Sequence, residues 1–399
     1  MRKFLLLLLP VSALLFFNPG NAQSNPIKLP DLVHSGEGRV ALSVESSEPS
    51  TQMLARRAFS LHGGVALTVP DSAAFVVRIE PAGGGDAALL TVGSGQPYQE
   101  QLRRTISGSD YNHAVLRACD TVIEATLRTK GFFAGKLAFV GKQRKISEIY
   151  TSDLMFSRVR PLTRDRALVT GPRWSPDGSR LLYTTYHQSG FPDIYAINLR
   201  SGRREPIATY KGTNSGAAFS PNGRRIAMAL SGSGNSEIYI ADANGKKSRR
   251  LTTNKSLEAS PSWSPDGQRL VYTSDAPGKP QLYTISVNGG APRRIPTNIS
   301  SYCSEPVWNP VHSNQIAFTA SIGGGFQIAL YDFKTRSSKQ LTQAASSVEP
   351  AWLRDGRHLV FTRREGGRQR LMLLDSETGK VSALHKPGFG DASSAAFVY

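Results

Sequence analysis

WSPDGQRLVYTSDAPGKPQLYTISVNGGAPRRIP, residues 263–296, is one unit of a repeat. Its opening aromatic and turn recur as Arg-Trp174-Ser-Pro-Asp-Gly, Ala-Phe219-Ser-Pro-Asn-Gly, Val-Trp308-Asn-Pro and Ala-Trp352-Leu-Arg-Asp-Gly, and a sixth aromatic, Phe397, stands in Ser-Ala-Ala-Phe-Val-Tyr. The six aromatics are separated by 45, 44, 45, 44 and 45 residues, the length a four-stranded propeller blade requires. The quoted unit divides into strand A at Pro261–Trp263, a turn at Ser264–Gly267, strand B at Leu270–Thr273, a loop at Asp275–Gly278, strand C at Gln281–Val287, a turn at Asn288–Gly290, and strand D at Arg293–Pro296. Pro265 presets φ in the first turn and Gly267 accepts a positive φ where the chain enters strand B. Asp177, Asp266 and Asp355 are therefore read as turn formers, not catalytic acids, and the six aromatics as packing between blades.

Counting strands shows how the ring closes. The first unit supplies only B (Leu137–Val140), C (Glu148–Ser152) and D (Arg158–Leu162), and the last only strand A around Phe397. The C-terminal strand must complete the first blade, which predicts a mainly β chain: a six-bladed β-propeller over 135–399. A small α+β domain at 39–134 is expected before it. Strands are predicted at Arg39–Glu45, Val65–Val69, Phe75–Ile79 and Ala87–Val92. One helix is predicted at Thr51–Leu61 with Met53, Leu54, Ala58 and Leu61 on its apolar face. A second is predicted at Asp110–Lys130, capped by Asp110, striped by Val115, Cys119, Val122, Ile123 and Leu127, and stopped by Gly131.

The first 22 residues read as a signal peptide: Arg2 and Lys3, an apolar stretch from Phe4 to Phe17, and small Gly20 and Ala22 before a cleavage ahead of Gln23. That stretch is shorter than the roughly 20 apolar residues of a membrane span, so a soluble periplasmic chain is expected, with 23–38 as a flexible leading segment. Cys119 and Cys303 are too few for a disulfide framework and lie in different domains, which suggests two buried free thiols. The formal net charge is +18, or +16 without Arg2 and Lys3. It invites anionic partners, although an exported chain argues against nucleic acid. The pairs Arg203-Arg204, Lys246-Lys247, Arg249-Arg250 and Arg293-Arg294 are placed on outermost strands, where charge discourages edge pairing.

The residues 263–296 quoted above resemble the propeller repeat of the TolB family, periplasmic proteins of the Tol-Pal system. So does the junction ACDTVIEATLRTKGFFAGKLAFV, Ala118 to Val140. The resemblance runs over both domains. It implies a binding protein that contacts a Pal-like outer-membrane lipoprotein through the propeller and a TolA-like inner-membrane protein through its N-terminal segment, supporting outer-membrane integrity and constriction at division. The leading segment QSNPIKLPDLVHSG does not match the family's TolA-binding stretch, the fourth repeat lacks Asp-Gly, and the last aromatic is Phe.

Catalytic motifs are missing: there is no Gly-x-Ser-x-Gly, no His-Glu-x-x-His and no phosphate-binding loop with Lys. No enzyme activity, cofactor or metal is expected, and the chain is expected to be monomeric and only peripherally associated with the envelope. Partner binding is assigned to the face where D-to-A and B-to-C loops emerge, at Asn214, Glu258, Tyr302, Glu305 and Glu349, with the alternative that the glutamates cap strand ends or offset nearby arginines. These are read as loop positions, so replacing Glu305 and Glu349 by Lys is expected to leave the melting temperature nearly unchanged. Two other readings remain: a propeller that holds peptidoglycan or another anionic glycan, and a glycan-cleaving enzyme for which His187, Tyr186 and Tyr302 are the loose candidates.

Overall fold

The computed structural model describes residues 38–143 and 146–399. The signal peptide and nearly all of the leading segment lie outside them. The N-terminal sheet runs in the order β2-β1-β3-β4-β5, from β1 (Val40–Glu45), β2 (Val65–Leu67), β3 (Phe75–Ala82), β4 (Ala87–Ser94) and β5 (Gln99–Ser107). β1 pairs in parallel with β2 and β3, because helix α1 (Pro49–Leu61) carries the chain back between them. Helix α2 (Tyr111–Leu127) packs beside α1 on the same sheet.

Four expectations need correction here. β5 escapes the sequence because QEQLRRTIS has no apolar alternation; it is an edge strand held by backbone pairing to β4. Met53 is 69 % exposed, and the buried face of α1 is made by Ala55, Ala58, Phe59 and Leu61. Asp110 does cap α2, accepting from the His113 amide at 3.0 Å, but the helix ends at Arg128, in the left-handed conformation with φ 56°, and not at Gly131. The pair Lys246-Lys247 sits in the turn before its outer strand.

Six four-stranded antiparallel sheets follow. Blade 1 is built from both ends of the domain: Asp391–Val398 supplies strand A and pairs with Lys136–Gln143, with Ser393 opposite Val140 and Phe397 opposite Leu137. Ile146–Asp153 and Arg160–Pro161 complete it. Blades 2 to 6 open with strands A at Val169–Trp174, Asn214–Phe219, Glu258–Trp263, Cys303–Trp308 and Ser346–Trp352. The turn reading holds: Asp177 accepts from the Ser179 amide (3.1 Å) and hydroxyl (2.7 Å), and the Ser175 and Ser179 hydroxyls hold its carboxyl down to about 2.

The aromatics lie between blades. Trp263, Trp352 and Trp174 each donate an indole N–H to the preceding strand A, at Ala218 (2.9 Å), Val307 (3.2 Å) and Ala396 (3.2 Å). Trp308, in the repeat without Asp-Gly, instead donates to Ser313 of its own turn and stacks on Phe333. Phe397 is partly buried against Gly135, where a Cβ would meet its ring at 2.2 Å.

The largest apolar core crosses the domain junction. Phe59, Val122, Ile123, Phe132 and Phe133 pack with Leu353, Val360, Leu371 and Leu373 of blade 6. Polar contacts fasten the same seam: Arg57 to the Leu384 carbonyl (3.0 Å), Arg354 to Glu124 (2.7 Å), and the Tyr399 hydroxyl to Asp120 (3.0 Å). Cys119 and Cys303 are buried free thiols.

Candidate functional site

The six strands A enclose a channel of about 580 Å³. Each carries the same bulge, seen as a register shift against strand B. The residue three before each aromatic has positive φ: Gly171, Gly216, Ser260, Glu305, Glu349 and Ser394, all between 51° and 64°. Glycine adopts this conformation freely; a side chain there needs compensation. At Glu305 and Glu349 the compensation is visible. Glu305 Oε2 accepts from the Glu349 amide (2.9 Å) and the Thr319 hydroxyl (2.7 Å), and Glu349 Oε2 accepts from the Ser394 amide (3.0 Å) and the Thr362 hydroxyl (2.8 Å). Each carboxylate thus ties its blade to the next. Burial, and then the charge of Glu349, raise the Glu305 carboxyl. Arg173 lies deep in the same channel; burial lowers its guanidinium while Glu349 and Glu305 counter that.

In an antiparallel A-B-C-D sheet the B-to-C and D-to-A connections share one edge, so these loops from all blades crowd around one mouth. Among the described residues, six of the ten exposed large apolar side chains are on that face: Ile146, Leu168, Tyr186, Phe191, Tyr210 and Leu257, with Phe191 62 % and Leu257 56 % exposed. Arg164, Arg166, Lys211, Lys255 and Lys279 stand exposed on the same loops, while Asp165 is buried and paired with Arg204. The surface is therefore both apolar and basic, densest over blades 2 to 4.

The sequence-derived positions fall into two groups. Tyr302 is on the mouth, half-buried and edge-on to Phe326 at 5.5 Å. The other four point into the structure. Asn214 Nδ2 donates to the carbonyls of Tyr210 (2.7 Å) and Pro192 (3.1 Å), which fixes the loops bearing Tyr210 and Phe191. Glu258 is buried, accepting from Asn254 (2.8 Å) and Ser274 (2.9 Å), next to exposed Leu257. Glu305 and Glu349 are in the channel wall, not at loop tips, so an unchanged melting temperature on their replacement by Lys is not expected. Exposed Phe191 and Tyr210 are absent from the sequence-derived positions, and Tyr186 figures there only as a glycan-cleaving candidate, although all three stand in turn-rich loops where turn chemistry gives them no role. His187 and Tyr186 lie on one loop of blade 2, with Tyr302 two blades away.

A six-bladed ring with an apolar, basic loop face and a narrow, internally bonded channel defines a β-propeller. The family model for the TolB beta propeller domain (PD40) matches residues 124–397. The chain belongs to the TolB β-propeller family. It is 32 % identical over 126 residues to the Tol-Pal system protein TolB of Desulfotalea psychrophila, covering 31 % of this chain and 28 % of that protein. The corresponding protein of Alcanivorax borkumensis is 30 % identical over 142 residues, covering 35 % and 31 %. The chain spans about a third of the length of these curated relatives. The crystal structure of TolB from Acinetobacter baumannii superposes with a TM-score of 0.80 at 21 % identity, covering 93 % of this chain and 98 % of that one, which establishes a shared fold.

Proposed function

We propose that this chain is an exported, non-catalytic Tol-Pal-type scaffold that binds a Pal-like outer-membrane lipoprotein on the mouth of its propeller. In this reading it works in the periplasm, supports outer-membrane integrity and constriction at division, and uses its leading segment to reach a TolA-like inner-membrane protein. The observation that carries the reading is the gathering of Leu168, Tyr186, Phe191, Tyr210 and Leu257 on loops of one face. Exposed apolar clusters with a charged rim mark protein contacts, and the surrounding lysines and arginines suit an acidic partner surface. Asn214 and Glu258 serve by bracing the loops that present these side chains. Among the described residues no helix is long and apolar enough to cross a membrane, in keeping with peripheral association.

A double replacement of Phe191 and Tyr210 by Ser tests this. Both side chains are exposed, so the melting temperature should stay within about 2 °C of wild type, as surface changes usually do. Capture of a purified Pal-like domain should weaken at least tenfold, as expected for loss of aromatic anchors. Undiminished capture would move the binding site elsewhere.

A further inference from the structure

Strand B of each blade after the first opens on a residue that follows the turn. In blades 2 to 4 it is Arg180, Arg225 and Arg269, whose guanidinium groups lie 5.6, 5.3 and 4.8 Å from the ring of the next blade's aromatic. In blade 6, which faces the N-terminal domain, the residue is His358. It is fully buried, with its ring 4.6 Å from both His62 and Phe132 across the domain seam. His62 is fully buried as well.

A ring nitrogen of His62, a ring nitrogen of His358 and a carboxylate oxygen of Asp375 lie within 4.8 Å of one another. The Nε2 atoms of both histidines have no hydrogen-bond partner among the described residues. His358 Nε2 is 3.3 Å from Asp375 Oδ2, but out of alignment for a hydrogen bond. The rest of each side chain is already oriented. His358 Nδ1 meets Asp355 at 2.5 Å, the carboxylate–imidazole pairing that fixes a ligating histidine's tautomer. Asp375 is held by Arg357 (Nε to Oδ1 2.9 Å, Nη2 to Oδ2 2.7 Å) and by the amides of Glu377 (3.0 Å) and Thr378 (3.2 Å). Gly63 lets the backbone close over this carboxylate: a Cβ there would sit 2.2 Å from Oδ2.

We propose that His62, His358 and Asp375 form a divalent transition-metal site of the zinc class that clamps the N-terminal domain to blade 6. Two imidazoles and a carboxylate suit zinc, cobalt or nickel and not magnesium or calcium. Ligation has two stated requirements. His358 Nε2 must be free of a proton, so binding competes with protonation. The ring proton of His62 must move to Nδ1, which surrenders the hydrogen bond from the Gly64 amide (3.0 Å), a loss of roughly fivefold to tenfold in affinity.

The test uses the purified protein after chelator treatment, with zinc as the probe. One ion per chain should bind, and zinc-edge X-ray absorption of the loaded wild type should show scattering from two imidazoles, a readout that needs no variant. His62→Ala should weaken zinc binding at least tenfold while keeping the wild-type circular dichroism spectrum. His312→Ala, at an exposed position, should bind as wild type does. Fewer than two imidazoles on the zinc, no binding, or equal binding by His62→Ala would each overturn the proposal.

Discussion

Asp120 shows how one side chain couples distant parts of the chain. From within α2 it accepts the amides of Phe133 (2.7 Å) and Ala134 (3.0 Å) at the domain junction and the hydroxyl of Tyr399 (3.0 Å) after the closing strand. Burial raises its carboxyl from 3.8 to about 6, against the pull of those donors. The folded state therefore holds a proton there that the unfolded chain releases between about pH 4 and pH 6. The stability this adds is fully present below pH 3.8 and is lost as pH rises through 6. Between pH 7 and pH 5, wild type should gain about 1 kcal/mol relative to Asp120→Asn. Urea unfolding of both proteins at the two pH values measures the difference. Parallel pH profiles would mean that the carboxyl is ionised throughout.

At the scale of the element, the bulged strand A is the unit of the ring. Its left-handed residue needs either glycine or a side chain that repays the backbone, and Glu305 does so by accepting the next blade's amide. Glu305→Gln keeps a carbonyl acceptor at that point and should change stability by less than about 1 kcal/mol. Glu305→Ala leaves buried polar groups short of a partner and should cost about 1–3 kcal/mol. Equal denaturation midpoints for the two variants would show that the carboxylate hand-off carries nothing. The strand order, the turn aspartates and the inter-blade aromatics were legible because each recurs every 44 or 45 residues. The bulge was written there too: Gly171 and Gly216 align with Ser260, Glu305, Glu349 and Ser394, and Pro172, Pro261, Pro306 and Pro350 follow. It went unread because glutamate in a recurring Glu-Pro looks like a loop-tip charge until the hydrogen bonds are known. The seam residues His62 and His358 were illegible for another reason. They come together only by packing of segments 296 residues apart, and only the break from Arg180, Arg225 and Arg269 to His358 marks the place in sequence.

For the whole molecule, closure is the property on which the mouth, the channel and the domain seam all depend. Deleting Ala395–Tyr399 removes Phe397 from Gly135, the Ala396 acceptor from Trp174, and Tyr399 from Asp120. Truncating a fully buried Phe costs about 3–5 kcal/mol; Phe397 is only partly buried, but the lost strand pairing adds to it. The deletion should lower the chemical denaturation midpoint far more than Tyr399→Phe, which breaks only the last of these contacts. Similar midpoints for the two would mean that blade 1 holds without its inner strand.

The split blade also sets a clock. Leu137 pairs with Phe397, 260 positions further along the chain, and no other segment among the described residues occupies that register. Blades 2 to 6 are each complete within a local stretch and can form as they are made. The ring cannot shut until residue 398 has been synthesised. A nascent chain is thereby kept from locking early, its last fastening held back until the final strand has been made.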